Sequence, residues 1–175
     1  SSWPRLRSLG APDISSTCFI GCDFSSSPSK RKPIVLALGR MHHGTVLLDQ
    51  LRCCESLEGF LLFLKQAAPS DVKCVGGFDL PFGLPRAFVE HMQWPQTWAE
   101  CMDQFTAYSR EDLRQFFKAF CDARPPGSKF AHRATDIPAG SSPSMKWVNP
   151  PVAWMMHAGV PLLRSAKWTF AGMCA

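Results

Sequence analysis

Two aspartates stand where apolar runs end. Asp23 closes Cys18-Phe19-Ile20-Gly21-Cys22-Asp23, and Asp79 follows Cys74-Val75-Gly76-Gly77-Phe78. Each run is apolar enough for a central, buried strand, where an unpaired carboxylate costs several kcal/mol. Hard divalent cations take carboxylate oxygens, so a bound ion is one compensation and the pair reads as a candidate metal site. The plainer reading is that both aspartates cap turns after their strands. Other residues carry chemistry too. Asp136 offers a further carboxylate if its loop folds back, or it pairs with Arg133. Arg133 and Lys146 suit phosphate contacts. Ser25, Ser26 and Ser27 either orient a phosphate or form a polar turn. His42 and His43 sit in an expected turn away from the carboxylates. Trp94, Trp98, Trp147 and Trp154 are candidates for base stacking, with core packing the stronger expectation.

The elements that must position these residues follow from periodicity. Residues 17–24 form the first expected strand, Pro33 to Gly39 the second, and Thr45 to Leu51 the third, with His42-His43-Gly44 as a hairpin turn. Leu57, Phe60, Leu61 and Leu64 recur at helical spacing. Val72 to Phe78 follows as a fourth strand. A strand reached through a helix is a crossover strand, so it is expected beside the first and parallel to it. That order brings the ends carrying Asp23 and Asp79 together. Beyond the proline-rich run Leu80 to Pro85, short helices are expected over Arg86 to Met92 and Thr97 to Phe105. Ser109-Arg110-Glu111-Asp112 resembles a capping box and opens a helix with the stripe Leu113, Phe116, Phe117, Phe120, Cys121. Asn149-Pro150 reads as an N-cap and first helical residue, with Gly159 at the stop. Trp168 to Gly172 reads as a strand without a partner.

Size and composition bound the answer. The 175 residues fit one domain, and 46% hydrophobic content with 13 Phe supplies a core. No apolar run reaches about 18 residues, so no membrane span is expected. The first residues have no continuous apolar segment of the secretory kind, and a cytoplasmic or organelle-matrix location is the default. The 8 cysteines form no C-x-x-C, and several lie in apolar runs, as reduced core thiols do. Charge is uneven: net +4 over residues 1–52, −4 over 53–123 and +5 over 124–175. Basic ends around an acidic middle suit a polyanion held beside acidic metal ligands, and equally suit ordinary solvated surfaces.

Two runs carry a family resemblance. Gly21-Cys22-Asp23-Phe24-Ser25-Ser26 and Phe78-Asp79-Leu80-Pro81-Phe82-Gly83-Leu84-Pro85 resemble the paired acidic motifs of the predicted RNase H-like nucleases, a large domain-of-unknown-function family similar in fold to the RuvC and RNase H group. Arg133-Ala134-Thr135-Asp136, followed by Ser142-Pro143 and Lys146, resembles that family's middle segment. The resemblance spans roughly residues 17 to 164, and Asp79 to Pro85 is its most specific part. Family members continue with further strands and another carboxylate motif. The expectation is therefore a loose leader over residues 1–16 and a domain over 17–175 that is incomplete at its C-terminus.

The resemblance implies an α/β domain of RNase H-like type: strands one to three antiparallel, the fourth parallel to the first, and flanking helices. It also implies hydrolysis of nucleic-acid phosphodiesters assisted by two Mg²⁺ or Mn²⁺ ions about 4 Å apart. In that scheme Asp23 bridges the ions and Asp79 binds one of them. Glu55 or Glu58 supplies a third acid and Asp136 the remaining ligand, with Ser25, Arg133 and Lys146 on phosphates. Two other classes stay open. A nucleotide-binding phosphotransferase of the actin and sugar-kinase type shares the core fold but needs a second Gly-rich phosphate loop, which this sequence lacks. A catalytically inactive binding domain is the third.

Overall fold

The structure, a computed structural model, describes residues 17–67 and 73–173. The expected leader over 1–16 and the expected start of the fourth strand at Val72 lie outside the described residues. The chain divides into two compact units, the first from residues 1–23 and 29–78, the second from residues 24–28 and 79–175.

The first unit holds the sheet. Its strands are β1 (Cys18–Asp23), β2 (Ile34–His42), β3 (Thr45–Cys54) and β4 (Cys74–Phe78), with helix α1 (Leu57–Gln66) between β3 and β4. The strand order is β3-β2-β1-β4; β1–β2 and β2–β3 are antiparallel and β1–β4 is parallel. The α/β class, the meander and the parallel fourth strand are therefore as expected from the sequence. Alternation explains the strands. Ile34, Leu36 and Leu38 are buried while Val35 and Ala37 between them are half-buried, the period-2 pattern of a strand with one covered face. The hairpin turns at His43 (φ 48°) and Gly44 (φ 79°), between the paired residues His42 and Thr45. Two successive positive φ values are what a two-residue type I′ turn demands, and glycine adopts one without a Cβ clash. Both strands run beyond their expected ends, to His42 and Cys54. Cross-strand hydrogen bonding extends them where hydropathy alone gave no signal.

Helix α1 covers one face. Phe60, Phe63 and Leu64 are fully buried, and the Arg52 guanidinium of β3 lies 5.4 Å from the centre of the Phe63 ring. Ser56 caps the helix, its Oγ accepting the Gly59 N–H at 3.0 Å. Such a cap is worth about 1 kcal/mol.

The second unit is helical: α2 (Arg86–His91), α3 (Trp98–Ala107), α4 (Arg110–Asp122) and α5 (Val152–Ser165). The capping box at the start of α4 forms as the sequence predicts. Ser109 Oγ accepts the Asp112 N–H at 3.1 Å, and Asp112 Oδ2 accepts the Ser109 N–H at 3.3 Å. Phe88, Phe105 and Phe117 are fully buried and centre the core, with Phe88 and Phe117 ring centroids 5.0 Å apart. Trp94 and Trp154 are buried, and Trp98 and Trp147 pack on Phe170 and Phe117. All four indoles are thus engaged in packing. No helix among the described residues is long and apolar enough to cross a membrane.

Three expectations for this unit are corrected. Helix α5 starts at Val152 rather than Pro150, because Pro150 itself precedes Pro151 and a residue before proline is driven out of the helical region. Gly159 does not stop the helix, which runs through Pro161 to Ser165. An interior proline costs about 3 kcal/mol. Val160 and Leu163, both essentially unexposed, offset that at about 1.5–3 kcal/mol each. Finally, Trp168 to Gly172 is not a strand. Phe170 instead packs against Phe82 and Trp98, at 5.4 Å and 4.5 Å between centroids.

Gly159 earns its position by close approach. A Cβ there would lie 2.8 Å from Leu80 Cδ2 and 3.2 Å from Phe24 Cζ. Gly159→Val is expected to lower unfolding free energy by about 1–3 kcal/mol through overpacking, read as a shifted urea midpoint. An unshifted midpoint would show that α5 does not pack this tightly.

Candidate functional site

The parallel ladder of the first unit pairs Cys18 with Cys74 and continues in register to Cys22 with Phe78. An aspartate directly follows each of these last two residues. Asp23 is the last residue of β1, and Asp79 is one peptide bond beyond the last residue of β4. Asp23 shares its sheet face with Gly21, opposite the face of buried Ile20 and Cys22.

Both aspartates are exposed, which corrects the expectation of burial. Each apolar run ends at its aspartate, on a row that α1 does not cover. Water therefore solvates these carboxylates, and desolvation does not by itself demand an ion. Among the described residues neither has an ion-pair partner.

Asp136 is the opposite case. Its side chain is 0% exposed, and every oxygen is used. Oδ2 accepts the Arg133 backbone N–H at 2.7 Å; Oδ1 accepts Arg133 Nε and Nη2 at 2.9 and 2.7 Å, and Ser141 Oγ lies 3.3 Å from it. Burial pushes the Asp136 pKa up, but the Arg133 hydrogen bonds and charge, with Ser141, outweigh it and hold the carboxyl below its ordinary value. The Arg133 pairing raised from sequence thus accounts for this acid, whose carboxylate faces its own loop. Arg133 is left with Nη1 outside the pairing and lines a groove of about 870 Å³ in the second unit, together with Arg86, Thr97, Trp98, Met102 and Thr135. A buried carboxylate that fixes a guanidinium pre-organises its remaining donors for an anion.

The other sequence candidates are spread out. Glu55 is exposed and follows β3, which lies two strands from β1, about 10 Å away at the usual strand spacing. Glu58 sits in the first turn of α1, where it complements the helix dipole. Ser25 is buried, and its Oγ accepts the Ser27 N–H at 3.4 Å, a local turn bond. Lys146 is half-buried and lies outside the lining of the groove. His42 and His43 occupy the β2–β3 hairpin. Among the described residues no three His, Cys, Asp or Glu side chains gather closely enough to hold a metal ion. Sequence reasoning missed Arg86 and the groove, because nothing local marks a concavity assembled from several loops and helices.

No protein-family model matches the chain, and no curated protein and no solved structure matches it either.

The Asp136–Arg133 pair generates a stability prediction. Removing one partner of a buried pair costs about 3–5 kcal/mol; Asp136→Asn, which retains shape and part of the hydrogen bonding, is expected to cost about 2–4 kcal/mol at pH 7. The folded-state pKa lies below the unfolded value of about 3.9, so the contribution is full above that value and is lost as pH falls below it. Urea unfolding of wild type and variant should therefore differ at neutral pH and converge towards about pH 2. A gap of equal size at both pH values would refute the electrostatic account.

Proposed function

We propose that this domain is a metal-dependent phosphodiesterase of nucleic acid, in which Asp23 and Asp79 are the carboxylates that hold the divalent ion. One observation carries the reading: the sheet register sets Cys22 opposite Phe78, and each of these residues is bonded to an aspartate. The resemblance of the two acidic runs to the RNase H-like nucleases gives that pair its chemical sense.

The donor set fits Mg²⁺ or Mn²⁺. Mg²⁺ keeps several waters and is commonly held by one or two carboxylates plus substrate phosphate, rather than by an all-protein cage. Two solvated aspartates without ion-pair partners among the described residues meet that need, since neither must abandon such a partner to bind. Bound there, a divalent ion supplies neutralising charge for a phosphodiester and Lewis acidity. The rest falls to the chain. Within the second unit, Arg133, fixed by Asp136, and Arg86 line a groove whose charge suits a phosphate. Net charge of +5 over residues 124–175 supports a polyanionic partner.

Cleavage of single-stranded and duplex DNA and RNA should require added Mg²⁺ or Mn²⁺ and fall at least ~100-fold in Asp79→Asn and Asp23→Asn. Mn²⁺ binding followed by calorimetry should weaken in both variants. Unchanged cleavage in Asp79→Asn would sink the catalytic assignment. Mn²⁺ affinity unaltered by either substitution would remove the metal site as well. Metal binding without cleavage of any substrate would favour the non-catalytic binding domain.

A further inference from the structure

The opposite end of the same ladder holds a second pair of reactive groups. Cys18 and Cys74 are the first residues of β1 and β4, and the parallel register sets them directly opposite each other. Neighbouring strands hold opposed Cα atoms about 4.8 Å apart, inside the roughly 4.4–6.8 Å range that a disulfide spans. Both side chains fall on the face of Ile20 and Cys22, so they point the same way. The Cys74 S–H donates to the Ala67 carbonyl oxygen at 3.1 Å. Both residues are only half-buried. Cys22, Cys54, Cys101 and Cys121 are buried, and Cys53 is exposed.

We propose that Cys18 and Cys74 form a thiol–disulfide exchange site that takes a small-molecule disulfide of the glutathione type and closes reversibly into a β1–β4 crosslink. The Cys18 sulfur, as thiolate, attacks one sulfur of glutathione disulfide. The S–S bond breaks, one glutathione leaves with the proton that Cys18 gave up, and a mixed disulfide remains on Cys18. The Cys74 sulfur then attacks the Cys18 sulfur, and the second glutathione leaves with the Cys74 proton. Two protein thiols are oxidised by two electrons, and one glutathione disulfide is reduced to two thiols. No other oxidant is needed.

The surroundings set the order. Burial, then the hydrogen bond and charge coupling to Cys18, push the Cys74 thiol up to about 12. Cys74 therefore stays protonated while Cys18 is free. Once Cys18 carries glutathione, the register holds its sulfur opposite Cys74 for the second attack. Closure ties together the loop that contains β2, β3 and α1, and should raise the thermal midpoint.

The test uses the full chain, equilibrated over a range of glutathione to glutathione disulfide ratios, acid-quenched, alkylated and mapped by mass spectrometry. A Cys18–Cys74 linked peptide is expected, with loss of two hydrogen masses, reversal by dithiothreitol and a higher melting midpoint in the oxidised form. Cys74→Ser should stop at one glutathionyl group on Cys18, and Cys53→Ser should crosslink like wild type. Wild-type protein that leaves Cys18 and Cys74 alkylatable at every ratio, while Cys53 takes up glutathione, overturns the proposal regardless of how the variants fold. Loss of the crosslink in a folded Cys53→Ser protein would overturn it equally.

Discussion

The parallel pairing of β1 with β4 is the constraint on which everything else rests. Antiparallel neighbours need only a hairpin, as β2 and β3 do across His43 and Gly44. A parallel neighbour must be reached by a connection that returns the chain to the starting edge, and α1 supplies it. The connection is stabilised by its own burial: Phe60, Phe63 and Leu64 leave water completely, worth about 1.5–3 kcal/mol each. Without that face, β4 would have no reason to lie beside β1. Asp79 would then follow a strand unrelated to the one that ends in Asp23.

Environment separates acids that look alike in sequence. Asp136 is buried and carries Arg133 hydrogen bonds on both oxygens, so its charge is spent inside the fold. Asp23 and Asp79 are exposed and lack ion-pair partners among the described residues, so their charge remains available. Burial was the wrong premise for suspecting the two strand-end aspartates. Availability is the better one, because a carboxylate that must first leave an arginine binds a cation at a cost, whereas a solvated one loses only water.

The sequence made legible what is local or topological. A continuous apolar run marked β2, a serine three residues before Asp112 marked the start of α4, and the single rule that crossovers run parallel gave the strand order. It misled where one residue type serves two purposes. Glycine after a helical stripe signals a stop, yet Gly159 lies inside α5 because Leu80 and Phe24 press on it. Asn-Pro signals a helix start, yet the following Pro151 moves it to Val152, which the sequence alone could have shown. An apolar run ending in aspartate looks buried throughout, although coverage by α1 depends on which face each residue takes. The role of Arg86 in a groove was out of reach, since only the packing of loops against helices creates that concavity.

Register is the finest detail the ladder fixes, and β4 holds it with little. Its centre is Gly76-Gly77, which has no side chains to choose a face, and glycine-rich strands are prone to slippage. The choice falls to the strand's ends. At one, Cys74 pairs with Cys18 in the ladder and its thiol donates to the Ala67 carbonyl; at the other, half-buried Phe78 shares its face with Cys22. A slip of one residue would turn Cys74 and Phe78 away from α1 and bring Val75, now 45% exposed, under it. The same slip would leave Asp79 out of step with Asp23 by one residue, about 3.3 Å along the strand. The pairing of Cys18 with Cys74 at the start of the ladder and the alignment of Asp23 with Asp79 after its end therefore follow from one register.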